Sequence, residues 1–91
     1  MAVVGAVVAV GTSATLLSGA DGDAIVGQCV YVTNAGANPI FLGGSGVTTV
    51  TGYSLAAGAS LPWAVQLGVG EALYGVVAAA TENAKVLRTG V

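Results

Sequence analysis

The sequence predicts an all-β fold: one domain spanning residues 1–91, a compact β-sandwich of jelly-roll-like type with about eight short strands. Two observations carry this. Turn-forming residues recur every ten or so positions, at Gly11, Gly19 to Gly22, Asn34 to Asn38, Gly43 to Gly46, Gly52, Gly58, Gly68 to Gly70, Asn83 and Gly90. The segments between them are short and rich in β-branched residues, and they lack the apolar stripe of an amphipathic helix.

The expected strands are 2–10, 13–18, 25–34, 38–43, 47–51, 59–66, 71–79 and 84–89. The first, "AVVGAVVAV", is dominated by valine, whose branched Cβ favours the pleated backbone. It is nine residues long with no basic residue before it, too short to cross a membrane as a helix, which takes about 20 residues. "VYVT" and "VTTVT" give strands 25–34 and 47–51 their β-branched character. Asn38-Pro39 belongs at a strand start or edge, because proline has no N–H to give an interior ladder. Residues 72–80 hold several alanines, which suit a helix, but Gly75 among Tyr74, Val76 and Val77 favours a strand.

Composition narrows the function classes. Only 7% of residues are charged, where about 25% is usual, and mean hydropathy is +0.89. So apolar a chain is expected to bury surface against other chains, as a homo-oligomer, with a trimer favoured and a dimer second. Two basic residues, Lys85 and Arg88, cannot follow a phosphate backbone, so no nucleic-acid partner is expected. Histidine is absent, which removes the commonest general base and metal ligand, so neither enzyme activity nor a metal or other cofactor is expected. The single cysteine, Cys29, cannot close a disulfide within the chain and reads as a small buried hydrophobe.

Several pieces recur in a telling order. They are "VGTSATLLSGA", then "VTNAGANPIFLGGSGVTTVTGYSLAAGAS" from Val32 to Ser60, "LGVGEALYGVVAA" from Leu67 to Ala79, and the closing "AKVLRTGV". Together, over roughly residues 12–91, they resemble the small β-rich proteins that decorate the heads of tailed bacteriophages, with N-x-G, LGG, V-T-x-x-x-G-x-x-L and G-x-x-L-Y-G in register. The resemblance implies a virion protein on the capsid surface, partnered by the major capsid protein. Related β-modules occur in tails and fibres, which makes a tail or fibre component the alternative. From a different class, a carbohydrate-binding module is the other reading, although five aromatics in all are few for a sugar platform. The low charge and the "SLPWAV" segment depart from an exposed, soluble head fibre and fit a protein held tightly to a shell.

Candidate sites are few. Asp21-Gly22-Asp23 has the spacing of half a calcium loop, but no further ligands follow, and a turn is the plainer reading. Gly43 to Gly46 has the glycine content of a phosphate loop without its lysine. Glu71 and Glu82 are the one carboxylate pair outside that turn, and nothing in the sequence joins them. Lys85 and Arg88, three apart on a strand, point to opposite faces. Pro39, Phe41, Tyr53 and Tyr74 are expected in the core. Trp63 is likewise expected in the core, with an interface position as the alternative, since Pro62 before it bends the strand and can turn the indole towards a neighbour. Trp63, Pro62, Phe41 and Tyr53 are therefore the candidate interface residues, and no catalytic residue is assigned.

Overall fold

A computed structural model describes residues 4–18, 28–68 and 71–89. Eight strands run in order: β1 Val4–Val10, β2 Thr15–Leu16, β3 Gln28–Asn34, β4 Ile40–Gly43, β5 Tyr53–Leu55, β6 Val65–Leu67, β7 Tyr74–Val76 and β8 Glu82–Thr89. They form two four-stranded antiparallel sheets, ordered β1-β8-β3-β6 and β2-β7-β4-β5. The pairs β1·β8, β2·β7, β3·β6 and β4·β5 nest inside one another, as in a single long hairpin rolled up on itself. Two further ladders, β3·β8 and β4·β7, close the roll into sheets. This is the eight-stranded, two-sheet order of a jelly roll, and it bears out the expected fold class.

Alternation fixes which side of each strand faces inward. Along β8, Glu82, Ala84 and Val86 are buried while Asn83, Lys85 and Leu87 are exposed. Along β4, Ile40 and Leu42 point into the core. Val10, Val30, Val32, Ala84 and Val86 of the first sheet meet Ile40, Leu42 and Leu55 of the second, with Leu17, Leu73 and Val77 flanking β2 and β7, in one cluster. Burying each large aliphatic side chain contributes about 1.5–3 kcal/mol. Gly75 is dictated by this packing, because a Cβ there would stand 2.9 Å from Leu17 Cδ1 and 3.2 Å from Ile40 Cγ2.

Three expected strands come out differently. Residues 47–51 form a turn, and the strand lies at β5 instead. Thr48 explains this: its Oγ1 accepts N–H groups of Val50 and Thr51 at 3.3 and 3.2 Å, and its carbonyl accepts Gly52 N–H at 2.8 Å. Local hydroxyl bonds thus outcompete the β preference of the threonines and valines. Gly43 and Gly52 let the loop fold back on β4, since a Cβ on either would lie within 3 Å of Val47 Cγ2, and the one on Gly52 within 2.6 Å of Phe41 Cβ.

The second departure is strand 59–66, which is split. Ala59 to Leu61 lie along β3, with Asn34 N–H bonded to Ala59 O, Leu61 N–H bonded to Val32 O, and Thr33 bridged to Ser60. Pairing resumes only at Val30↔Val65, so four residue steps on this strand span the two from Val32 to Val30 that follow Leu61. The surplus residues make a bulge at Pro62-Trp63-Ala64, where proline cannot continue the ladder. Third, the expected strand 71–79 shortens to β7, and Ala78 to Ala80 turn into β8 with Ala80 at φ 60°. The expected segments 2–3 and 25–27 lie outside the described residues, as does Asp21-Gly22-Asp23.

Candidate interaction surface

The bulge lifts Trp63 off the sheet, leaving it 65% exposed. Tyr53, on edge strand β5 opposite Leu42, is 58% exposed. The two aromatics rim a single depression of about 200 Å³, walled by Leu42, Leu61, Val65 and Leu73. Apart from the Tyr53 phenol, no hydroxyl, amide or carboxylate side chain lines it. Such a lining suits an apolar group better than a polar one. A sugar ring would find aromatic faces here and few partners for its hydroxyls.

The other interface candidates separate from this pair. Pro62 is exposed beside Trp63 at the bulge, and Phe41 is half-buried on the outer side of β4, beneath Gly52 and its loop. The expected core position holds for none of Trp63, Tyr53 and Pro39, which are all exposed, Trp63 because the bulge lifts it outward, while Tyr74 is half-buried.

A second apolar area covers the outer face of the first sheet. Val7, Leu87 and Tyr31 are 64%, 46% and 39% exposed there. With Gly5, Ala6, Thr33 and Lys85 they line a shallow trough of about 470 Å³. Register places Gly5, Leu87 and Tyr31 in one row and Val7, Lys85 and Thr33 in the next. Lys85 is the one charge in these rows, and Arg88, in the row of Val4 and buried Val30, has the opposite facing.

The two carboxylates among the described residues have structural partners. Buried Glu82 accepts the Ala37 N–H at 2.9 Å and Asn38 Nδ2–H at 2.7 Å. Those bonds, the Asn38 amide first, hold its carboxyl below the usual carboxylate range. Fully buried Asn34 completes the turn: its Oδ1 accepts Gly36 N–H at 2.9 Å, and its Nδ2 donates to the carbonyls of Asn38 and Leu55. Every buried side-chain nitrogen or oxygen among the described residues is hydrogen-bonded. Glu71 is engaged separately, accepting the Gly68 N–H within its own turn. The described residues contain no group of three or more metal-ligating side chains. Cys29 is half-buried, facing Gln66 and Thr89 across the ladders.

Sequence reasoning had singled out Trp63 and Tyr53, and the fold brings them together. The sequence marks Glu82 only as one of two unjoined carboxylates and Asn34 only as a turn residue, and their shared turn is not read from it, although the N-x-G spacing is the available signal: Asn34 folds back on the Gly36 amide, which is an Asx turn. Comparison with protein-family models, with curated proteins and with solved structures found no match to the chain.

Proposed function

We propose that this protein is a non-enzymatic structural component of a tailed-phage virion. It decorates the outer surface of the capsid and cements it by contact with the major capsid protein. The observation that carries the reading is the Trp63–Tyr53 depression, an uncharged, aromatic-rimmed hollow on a jelly roll. Tryptophan and tyrosine at the edge of an apolar pocket have the character of interface hot spots. Jelly rolls recur among viral capsid domains, and the N-x-G, LGG and G-x-x-L-Y-G segments support the same class. With so few charges, the contact is apolar and its strength depends little on salt.

The test compares particles with and without the protein, measuring the temperature of thermal rupture while imaging where the protein sits. A higher rupture temperature with density on the outer shell supports the cement role. Unchanged rupture with density confined to the tail favours a tail or fibre component, and absence from the particle overturns both.

A further inference from the structure

The two sheets leave four edges, and three of them are blunt. β2, β5 and β6 are only two, three and three residues long, and the bulge at Pro62 interrupts the β6 side. β1 is different. It is a seven-residue edge strand, VGAVVAV, bonded to β8 on one side and to no described strand on the other, with neither a charge nor a proline to protect it. Natural edges of this length are normally guarded, because their free N–H and C=O groups template another strand.

We infer that β1 pairs with β1 of a second copy, antiparallel about a two-fold axis, to give a dimer with a continuous eight-stranded sheet. The pairing rests on the edge itself and holds whether or not the virion reading does.

Geometry selects the second copy as occupant. A two-fold that pairs antiparallel strands stands perpendicular to the sheet, so outward residues meet outward residues. Centring it on Val7 overlaps the whole strand: Val7 faces Val7, Gly5 faces Ala9 and Val4 faces Val10 of the other copy. The facing residues are uncharged and small enough for the backbones to close, and a Cβ on Gly5 meets nothing within 4 Å. Charge does not oppose the contact. Each Lys85 lies one strand in from the edge, opposite Val7, so the two lysines stand three strand spacings apart, ~14 Å at ~4.8 Å each. That exceeds the ~8 Å screening length at physiological salt. The trough beside Gly5 and Leu87 then gains Ala9 of the second copy along its open side, so the apolar outer face runs unbroken across the axis. This favours the dimer over the trimer expected from composition.

Sedimentation across tens to hundreds of micromolar (roughly the range of weak affinities) tests it, using wild type, Val7→Glu and Val7→Lys. In Val7→Glu the new carboxylate faces its own Lys85 within one chain but faces itself across the axis. The expected result is a wild-type dimer, each variant alone at least about tenfold weaker with an unchanged β spectrum, and a mixed 1:1 dimer when the two are combined. A wild-type monomer throughout, or an oligomer that Val7→Glu leaves intact, overturns the pairing. Hydrogen exchange on the wild type gives a readout that needs no variant. The β1 amides pointing away from β8 should be protected and lose protection on dilution, and fast exchange at every concentration overturns the inference.

Discussion

Gly36 leaves the space that Glu82 fills. A Cβ built on Gly36 would stand 2.7 Å from the Cβ of Glu82, closer than real carbons approach. The turn after β3 is therefore shaped to the first residue of β8, forty-six positions away in the chain. Gly36→Ala must push the Glu82 side chain from its bonds to Ala37 and Asn38. The expected cost is that of overpacking, about 1–3 kcal/mol, read by denaturant unfolding. If Gly36→Ala unfolds at the wild-type midpoint, the close fit is not a constraint.

Glu82 also gives stability a direction with pH. Its hydrogen bonds favour the carboxylate, so its folded pKa lies below the 4.5 of a free side chain. Stability from this group is complete above that free value and is lost as pH falls through the lower, folded one. Unfolding midpoints measured from pH 7 to pH 2 should fall across that window in the wild type. Glu82→Gln should start lower at pH 7 and fall less steeply, because its amide cannot accept from both Ala37 and Asn38. Parallel profiles would show that the carboxylate contributes nothing specific.

Ala80 carries backbone strain at the turn into β8. Its φ of 60° lies in the left-handed region, where a Cβ costs roughly 1–2 kcal/mol. Ala80→Gly relieves the clash and loosens the unfolded chain, two opposed effects that leave a net gain of about 0.5–1 kcal/mol. Calorimetry should show a rise in Tm. A fall would mean that neighbouring contacts, and not the turn, set the conformation there.

The strands that could be read from the sequence are those whose own residues decide them. β1, β3 and β8 are long, and β4 and β8 alternate cleanly between core and surface, so period and composition agree. Where the reading slipped, short-range hydrogen bonds or distant packing decided. The threonines at 48 and 51 look like strand residues and instead cap their own loop. Gly75 lies in β7 as expected, but the reason it must be glycine is distant packing, since Leu17, Ile40 and Val10 leave no room there for a side chain. Ladder partners such as β1 and β8 are set by the closure of the whole roll, which no local pattern encodes. The Trp63–Tyr53 depression was half legible. Pro62 announced a bend, but only the two-sheet packing sets Tyr53 across from it.

The two apolar surfaces lie at opposite ends of the first sheet. β1 is one edge, and the Pro62–Trp63 bulge leads into β6 at the other. A dimer closed through β1 would carry its two Trp63 sites beyond the β6 edges, about 34 Å apart across seven strand spacings of ~4.8 Å. If the proposed function holds, such a dimer would engage a shell at two points, and modest single contacts would add through effective concentration.

That separation lets each surface be removed without touching the other. Trp63 is mostly exposed, so Trp63→Ala should leave unfolding within about 0.5 kcal/mol of wild type and leave the β1 dimer intact. Its binding to capsids lacking the protein should weaken by about 30-fold, the loss of a hot spot worth ~2 kcal/mol. Tyr53→Ala, which removes the opposite rim, should cost less, because the indole supplies the larger apolar area. Val7→Glu should do the reverse, losing the dimer while each monomer keeps its single-site affinity. Binding measured by co-sedimentation with purified shells, beside sedimentation of the free protein, separates these effects. If Trp63→Ala binds shells as wild type does, the depression is not the contact, and the capsid partner must lie on another face.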